Sequence, residues 1–262
     1  MDYGIAGDTA LVAASSSGLG KASAKALARE GCDVVINGRD EDQLESAVAD
    51  VQRVSEGDVL GVQADLTDAG EIERLVNRTV ERYSGIDHLV TNAGGPPSGA
   101  FVEMDDSDWY DAFDLLVMSA VRLAHEATPH LRDGGGTIVT ITSRSVKEAI
   151  PSLVLSNSVR MSVIGLEKTL SKELAPEVRA NAVLPAPHET DRQRELIQAA
   201  VDRGEYDSYE EGLDAKGEIN PLGRIGDPEE LGDVVAYLSS ERSSFINGVA
   251  IPVDGGQGAS NL

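Results

Sequence analysis

The stretch that decides the fold is Thr9-Ala10-Leu11-Val12-Ala13-Ala14-Ser15-Ser16-Ser17-Gly18-Leu19-Gly20, followed at once by Lys21-Ala22-Ser23-Ala24-Lys25-Ala26-Leu27. An apolar run of strand length, a Gly/Ser turn and a helical segment follow one another without a break. Such a turn exposes backbone N–H groups at the positive end of the helix, where a pyrophosphate is stabilised. Any tight strand-to-helix turn favours Gly and Ser, so the stretch alone is a weak signal for a nucleotide.

On both sides of this stretch, short β-branched runs alternate with longer amphipathic segments, which is the pattern of βαβ units around a parallel sheet. Residues 69–83 carry Ile72, Leu75, Val76 and Val80 at helical spacing and predict a helix packed on the sheet. No linker divides the sequence, so we expect one domain over residues 1–262. The predicted strands are 9–13, 33–36, 59–63, 88–91, 137–141, 179–183 and 249–253. The fold class is therefore α/β, a Rossmann-type doubly wound sheet of seven parallel strands flanked by helices.

The composition is strongly acidic: 45 Asp and Glu residues against 22 Lys and Arg residues give a formal net charge of −23. Such a surface repels nucleic acid and anionic lipid, so neither is expected as a partner. We interpret the acidity, which is spread along helical segments, as a halophile-like adaptation to high salt. An acidic protein from an ordinary environment is the alternative. The sequence shows no signal-like N-terminus and no apolar run of membrane-spanning length, which predicts a soluble, cytoplasmic protein.

The single cysteine, Cys32, lies in the apolar run Cys32-Asp33-Val34-Val35-Ile36. One cysteine can form neither an internal disulfide nor a cysteine-ligated metal site, and no metal is predicted. We expect Cys32 to be a buried thiol.

Residues 190–217 interrupt the alternation with polar helical sequence rich in Glu, Gln, Asp and Tyr. In an open α/β sheet, ligands bind beyond the carboxyl ends of the strands, so this segment is predicted to be a lid-like insertion. The alternative is that this segment is a solvent-exposed surface insertion without a role as a lid.

Several motifs then follow in a fixed order. Asp65-Leu66 comes after the third predicted strand, Asn92-Ala93-Gly94-Gly95 after the fourth, and Pro185-Ala186-Pro187-His188-Glu189-Thr190 after the sixth. Near the end stand Pro221-Leu222-Gly223-Arg224, Phe245-Ile246-Asn247-Gly248 and Val253-Asp254-Gly255-Gly256. In these motifs, over essentially its whole length, the chain resembles the short-chain dehydrogenase/reductase family, and within it the 3-oxoacyl-carrier-protein reductases.

The resemblance implies a nicotinamide nucleotide site. The family's first turn has the pattern TGxxxGxG, and here Ala13 and Ala14 replace the Thr and the first Gly. The methyl group of Ala14 is expected to rearrange the turn without excluding binding. By resemblance, the cofactor contacts fall on Ser15, Ser17, Gly18, Leu19, Gly20, Asp65, Leu66, Asn92, Ala93, Gly94, Pro185 and Thr190.

The choice of cofactor depends on the end of the second strand, which reads Asn37-Gly38-Arg39-Asp40. An acidic residue at the strand tip would hold the ribose hydroxyls of NAD, whereas an Arg can pair with the 2′-phosphate of NADP. Arg39 therefore predicts NADP(H), with NAD(H) as second choice. The alternative is that Arg39 pairs with the acidic residues at 40–42.

The resemblance also implies a reaction. In the family a Tyr hydroxyl exchanges a proton with the substrate while a hydride passes to or from the nicotinamide. A Lys four residues later binds the nicotinamide ribose and lowers the pKa of the Tyr. A Ser thirteen residues before the Tyr polarises the substrate oxygen, and an Asn on an earlier helix completes a proton relay.

This sequence keeps only one of those four residues. Ser143 aligns with the family's Ser, but Ser156 and Arg160 stand where the Tyr and the Lys are expected, and Leu116 stands at the Asn position. A Ser hydroxyl is a much weaker acid than a phenol, whose unperturbed pKa is about 10. Arg160 keeps the positive charge, and we interpret it as a cofactor contact.

Two functions follow from this pattern. In the first, the protein is an atypical NADP(H)-dependent oxidoreductase acting on a small carbonyl or alcohol substrate, 3-oxoacyl-like by resemblance. Its catalytic candidates are Ser143, Ser156 and His188, where His188 would be a relocated acid. Other candidate acids are Tyr206, Tyr209 and Lys147, and an ordinary surface role is the alternative for His188. In the second, the chain is a non-catalytic NADP(H)-binding sensor or regulatory protein.

The resemblance also implies a homo-oligomer, specifically a tetramer, built through helices at 108–131 and 151–175. Val159, Val163 and Leu166 could serve that interface or belong to the core of one subunit.

Overall fold

A computed structural model describes residues 2–260 of the chain. The strands are β1 (Thr9–Val12), β2 (Asp33–Gly38), β3 (Val59–Gln63), β4 (His88–Thr91), β5 (Gly136–Ile141), β6 (Val178–Pro185) and β7 (Ala250–Val253). All pairings are parallel, and the seven strands form one sheet in the order β3-β2-β1-β4-β5-β6-β7. The predicted fold class is confirmed, and each β-branched run forms a strand, with β2 and β6 extending two residues beyond the predicted ends at Ile36 and Val183.

The helices connect these strands and cover both faces of the sheet. Within residues 2–260 they are α1 (Gly18–Arg29), α2 (Glu41–Gln52), α3 (Ala69–Tyr83), α4 (Asp106–Phe113), α5 (Ser119–Gly134), α6 (Val154–Glu173), α7 (Asp191–Asp202), α8 (Tyr209–Glu218) and α9 (Pro228–Ser239). In the described part of the chain, no helix combines the length and the apolar character that crossing a membrane requires.

Two helices differ from their predicted bounds. The helix expected at 108–131 is divided by a π-helical turn, Asp114–Met118, between α4 and α5. The helix expected from residue 151 begins only at Val154, because Pro151 is followed by Ser152 in the left-handed conformation, with a φ of 61°. The predicted helix 69–83 matches α3. The segment predicted as a lid consists of α7, α8 and their connections.

Apolar side chains fill both faces of the sheet, as expected for parallel strands covered by helices. On one face, Leu27 of α1, Leu44 of α2 and Leu231 of α9 pack against the strands. On the other face, the cluster is built from α3, α5 and the end of α6. Cys32 is buried in the first cluster, as predicted, and donates to the carbonyl of Ile5 at 3.3 Å. Burial raises the pKa of this thiol.

A third apolar cluster lies between α6 and the helix pair α4 and α5. Val159 and Val163 are buried there together with Leu116 and Leu155. These valines therefore belong to the core of one subunit, while Leu166 is only half-buried.

The strand order reverses between β1 and β4, because β1 pairs with β2 on one side and with β4 on the other. In doubly wound sheets the crevice at the carboxyl ends of such strands is where ligands bind. The residues after β1, β2, β4, β5 and β6 consequently face one edge of the sheet.

Candidate functional site

The turn between β1 and α1 keeps a tight conformation in spite of Ala14. Ala14 has a φ of 46°, in the left-handed region that favours glycine. Its N–H donates to Oδ1 of Asn37 at 2.9 Å, and its carbonyl accepts from Nδ2 of Asn92 at 3.1 Å. A left-handed conformation costs an alanine about 1 kcal/mol or more in free energy, and these two hydrogen bonds stabilise it. The backbone of the turn thus accommodates the methyl group.

Glycines make the start of α1 accessible. A Cβ atom on Gly20 would lie 2.4 Å from the carbonyl oxygen of Ala14 and 2.8 Å from Nδ2 of Asn92, so no larger residue fits there. Gly18 has a φ of 55°. Ser17, at the N-cap of α1, makes no side-chain capping bond, and the first turn has no acidic residue. The first N–H groups of α1 are therefore free to bind an anion.

Ser15 bonds to the protein through its polar groups, and its role as a cofactor contact stays a prediction. It is buried, and its hydroxyl donates to the carbonyl of Val12 at 2.6 Å and accepts from the N–H of Asn37 at 2.9 Å. Its own N–H donates to the carbonyl of Asn37 at 2.8 Å. The polar groups of Ser15 thus fix the turn itself.

The end of β2 presents an unpaired arginine. Arg39 is exposed, and among residues 2–260 its guanidinium forms no ion pair, with Asp40, Glu41 or Asp42 or with any other carboxylate. Asp40 instead caps α2 by accepting from the N–H of Gln43 at 2.8 Å. Arg39 thus does not pair with the acidic residues at 40–42, while its charge contributes to lowering the pKa of the Asp65 carboxyl group.

The other predicted nucleotide contacts surround the same crevice. Asp65 accepts from the N–H and the hydroxyl of Thr67, and these hydrogen bonds lower the pKa of its carboxyl group. The side chain of Leu66 is buried in the core. Thr190 caps α7, and its methyl group lies 3.5 Å from the Cβ position of Gly18, so the segment after Pro185 meets the first turn. Ala93 packs against the third cluster, and Gly94 has open space around it.

Hydroxyl groups collect at the carboxyl end of β5. Ser143 follows the strand, and its hydroxyl oxygen accepts from the N–H of Ser145 at 3.1 Å. Ser145 is buried, and its hydroxyl lies 3.0 Å from that of Ser156 on α6. The structure therefore connects Ser143 to Ser156 through Ser145, a residue that the sequence analysis did not single out. Its only sequence signal is its place two residues after Ser143.

Arg160 lies one helical turn beyond Ser156 and is 9% exposed. Its Nη1 donates to the carbonyl of Thr142 at 3.5 Å, and its buried Nε has no hydrogen-bond partner among the described residues. Burial lowers the pKa of this guanidinium to about 10, so it remains positively charged at neutral pH.

Further along the same helix, Glu167 is a buried carboxyl group without an ion-pair partner in residues 2–260. It accepts from the hydroxyl of Thr140, which lies 2.6 Å from the hydroxyl of Thr91, and its second oxygen has no partner there. Burial raises the pKa of Glu167 to about 8, and the bond from Thr140 opposes this rise. At neutral pH the carboxyl group is mostly protonated.

The position of the family's relay Asn is apolar. Leu116 lies in the π-helical turn and is buried beside Leu155 and Val159. No hydrogen bond can pass through this side chain.

His188 contacts Ala186 and Gly226 rather than the serines after β5. Its Nδ1 is 2.7 Å from the carbonyl of Ala186, and its ring fills the space where a Cβ on Gly226 would be 2.6 Å away. Burial lowers the pKa of His188 below its usual value. Within the described chain, no hydrogen bond joins this ring to Ser143 or Ser156.

No side-chain hydrogen bond joins the other candidate acids to Ser143 or Ser156 within the described residues. Tyr209 donates to Glu189 at 3.4 Å, and burial and that carboxylate raise its pKa. Tyr206 packs against Gly212, and Lys147 is exposed. Across residues 2–260, no group of three or more His, Cys, Asp or Glu side chains is arranged to hold a metal ion.

A loop beside the serines is held by Asn157. Its Oδ1 accepts from the N–H of Ile150 at 3.1 Å, and its Nδ2 donates to the carbonyl of Ile150 at 2.9 Å. The same loop bonds to the segment after β4, where the N–H of Gly99 donates to the carbonyl of Ser152 at 2.7 Å. These bonds tie the loop that follows Ser143 to α6 and to the segment after β4.

Comparisons with known proteins give one matching family model and several similar sequences. A family model described as enoyl-(acyl carrier protein) reductase matches residues 13–257. Human dehydrogenase/reductase SDR family member 4 is 32% identical over 96% of this chain and 88% of its own length. The 3-oxoacyl-[acyl-carrier-protein] reductase FabG of Thermotoga maritima is 31% identical over 95% of this chain and 97% of its own length.

Solved structures show the same fold with a nucleotide bound. L-sorbose reductase from Gluconobacter frateurii, in complex with NADPH and L-sorbose, has a TM-score of 0.95 and 30% identity, covering 99% of this chain and 100% of that chain. Actinorhodin polyketide ketoreductase with NADPH has a TM-score of 0.89 and 32% identity, covering 97% of this chain and 98% of that chain.

Proposed function

The chain belongs to the short-chain dehydrogenase/reductase family, and on that premise we propose that it is an NADP(H)-dependent oxidoreductase acting on a carbonyl or alcohol group. Two features of the same crevice carry the proposal: the N-terminus of α1 has no side-chain cap, and Arg39 forms no ion pair within the described residues. In a chain with a net charge of −23, an uncapped helix end and a free guanidinium are sites for an anion. They match the pyrophosphate and the 2′-phosphate of NADP(H).

The residues present fit the nucleotide at its other end as well. The unpartnered Nε of Arg160 is a buried donor, and buried donors normally have an acceptor. Arg160 occupies the position of the family's Lys, so it is assigned to the nicotinamide ribose hydroxyls. When bound, the nicotinamide supplies or accepts the hydride.

The chain's own residues then act on the substrate oxygen. Because the oxygen of Ser143 accepts from the N–H of Ser145, its hydroxyl hydrogen remains free to donate to a carbonyl oxygen. The charge of Arg160 stabilises the negative charge that develops on the substrate oxygen as the hydride adds to the carbonyl carbon, and solvent water supplies the proton that completes the alcohol. The hydroxyl of Ser156 orients Ser145, and through it Ser143, while a serine is too weak an acid to replace the phenol.

The role of His188 as a relocated acid stays a prediction. Its lowered pKa leaves the ring neutral at pH 7, with Nδ1–H donated to Ala186 and Nε2 as an acceptor. A ring in that state accepts a proton more readily than it donates one. Exchange of His188 for Asn, whose amide nitrogen is also a donor for the carbonyl of Ala186, is expected to leave the reduction rate at pH 7 unchanged if Ser143 is the donor to the substrate oxygen.

The experiment has two stages. First, NADPH and NADH are titrated against the protein; then oxidation of NADPH is followed at its absorbance band with ketones, aldehydes and 3-oxoacyl thioesters. Tight NADPH binding with turnover that falls in Ser143→Ala supports the proposal. No binding of either nucleotide would refute it.

A second function is favoured by a specific observation. Leu116 is apolar and Ser156 cannot supply a phenolic proton, so the relay of the family is interrupted at two points. A non-catalytic NADP(H)-binding sensor or regulatory protein would keep the nucleotide contacts and lose this relay. Tight NADPH binding with no turnover on the whole panel would select this function.

The oligomeric state, the salt-adapted surface and the cytoplasmic location stay predictions. Large apolar side chains are exposed before and along α4: Phe101, Val102, Tyr110 and Phe113 are 69%, 88%, 76% and 43% exposed. A second copy of the chain would bury them, which supports a homo-oligomer. Sedimentation in low and high salt tests the tetramer and the salt dependence together.

A further inference from the structure

The segment that follows β5 is positively charged in an otherwise acidic protein. Between Thr142 and Arg160 there are three basic residues, Arg144, Lys147 and Arg160, against one acidic residue, Glu148. We propose that this site takes a small oxo acid, a substrate that carries a carboxylate within two or three atoms of its reacting carbonyl. This inference rests on the proposed function and adds the substrate class.

The first observation is the uncompensated charge of Arg160. Its only hydrogen bond in residues 2–260 is the 3.5 Å contact to the carbonyl of Thr142, and its Nε has no partner there. A buried cation without a counter-ion is costly, and the cost falls when an anion binds beside it. Ribose hydroxyls would satisfy a donor on Arg160 but would leave its charge unbalanced.

The second observation is Arg144, which directly follows Ser143. Its Nη1 lies 3.2 Å from Oε2 of Glu148, while its Nε is buried and has no partner in the described chain. The same Glu148 oxygen accepts from the N–H of Ala259 at 3.3 Å. Glu148 therefore holds the guanidinium in place and is itself shared with the C-terminal segment. Arg144 keeps a fixed N–H donor that points to no protein acceptor.

Both guanidinium groups belong to, or contact, a residue directly next to Ser143 in the sequence. Arg160 contacts the carbonyl of Thr142, the residue before Ser143, and Arg144 is the residue after it. A carboxylate bound between the guanidinium groups would place an adjacent carbonyl within reach of the hydroxyl of Ser143. Two anchored donors also fix the orientation of the substrate.

Nucleotide phosphates cannot supply the missing charge. They are assigned to the N-terminus of α1, which follows β1, whereas Ser143 follows β5. Strand β4 lies between β1 and β5 in the sheet. With about 4.8 Å between neighbouring strands, the two strand ends are about 10 Å apart. The anion must therefore come with the substrate.

The test compares acids with their neutral methyl esters. Turnover with NADPH is measured for acetoacetate and methyl acetoacetate, and for pyruvate and methyl pyruvate. Independently of turnover, calorimetry measures binding of 3-hydroxybutyrate and methyl 3-hydroxybutyrate, with and without NADPH. The variants are Arg144→Gln, Arg144→Lys and the matched control Arg78→Gln, an exposed arginine of α3 paired only with Glu81.

We expect the acids to bind at least about tenfold more tightly than the esters, the usual effect of one hydrogen bond to a charged group. Arg144→Gln should remove that preference, Arg144→Lys should keep part of it, and Arg78→Gln should keep all of it. Equal binding of acid and ester, or a preference that survives Arg144→Gln, would overturn the inference. NADPH affinity measured in the same samples shows separately whether the proposed function fails.

Discussion

The buried carboxyl group of Glu167 gives a quantitative prediction about stability. Its pKa is raised to about 8 in the folded protein, against a model-compound value of 4.5. The native state therefore holds a proton that the unfolded chain releases above pH 4.5. The free energy of unfolding consequently falls as the pH rises from 4.5 through 8, and this residue adds little further decrease above about pH 9.

The size of the effect follows from the difference between the two pKa values. Each unit corresponds to about 1.4 kcal/mol, so between pH 5 and pH 8 Glu167 should lower the free energy of unfolding by roughly 3 to 4 kcal/mol. Glu167→Gln removes the titration and keeps an oxygen that can accept from Thr140. We expect the variant to match the wild type near pH 5 and to be more stable by that amount at pH 8.

The assay is urea unfolding at pH 5, 6, 7 and 8, followed by the fluorescence of Trp109 and by circular dichroism at one protein concentration. About 1 M NaCl shortens the Debye length to about 3 Å and screens repulsion between the surface carboxylates. Glu173→Gln is the matched control, since Glu173 is an exposed residue of the same helix. Its pH dependence should follow that of the wild type.

Parallel pH profiles for the wild type and Glu167→Gln would refute the reasoning. They would mean that Glu167 is ionised in the folded protein and balanced by a charge in its surroundings. A loss of stability in Glu167→Gln at every pH would lead to the same conclusion, because removing one partner of a buried charge pair is strongly destabilising.

Three further predictions concern the candidate site. Gly20→Ala places a methyl group 2.4 Å from the carbonyl of Ala14, and we expect a loss of about 1 to 3 kcal/mol in stability together with weaker NADPH binding; unchanged unfolding and affinity would contradict the tight turn. Asn157→Ala removes both bonds to Ile150 and should cost about 1 to 3 kcal/mol and speed amide exchange in residues 147–153; unaltered exchange would show that other contacts fix the loop. Arg39→Gln should weaken NADPH binding about tenfold or more while NADH affinity stays the same, and an equal loss for both nucleotides would remove Arg39 from the 2′-phosphate site.

The parts of the structure that depend on backbone requirements were predictable from the sequence. A Gly/Ser turn between an apolar run and a helical segment permits few conformations, so it located the free end of α1. Ser156 and Arg160 were selected by their spacing from Ser143. Both lie on α6, the α-helix that follows β5. Ala14 shows the limit of such reasoning, since its left-handed conformation depends on Asn37 and Asn92.

Side-chain directions could not be predicted in the same way. Ser15 was expected at the nucleotide, but its hydroxyl turns inward because Val12 and Asn37 lie there. His188 stays a prediction as a relocated acid, and its ring lies in the space beside Gly226, a residue far away in the sequence. The link from Ser145 to Ser156 likewise depends on the packing of a loop against α6. In each case at least one of the partners, Asn37, Gly226 or Ser156, is distant in the sequence and gives no local signal.

The two departures from the family pattern on α6, Ser156 in place of the Tyr and Arg160 in place of the Lys, are physically connected. A serine at 156 leaves a hydroxyl too short to reach a substrate as a phenol would, and that hydroxyl is used by Ser145. Without a tyrosine at position 156, there is no phenol whose pKa the cation at position 160 would lower. A guanidinium suits position 160 in the proposed function because its role there is to bind a ligand. Its Nε donor and its charge both remain unmatched by the described residues until a ligand arrives. Under the proposed function, the site would hold polar, anionic ligands in one orientation, with a hydrogen bond from Ser143 and the charge of Arg160 in place of a phenolic proton.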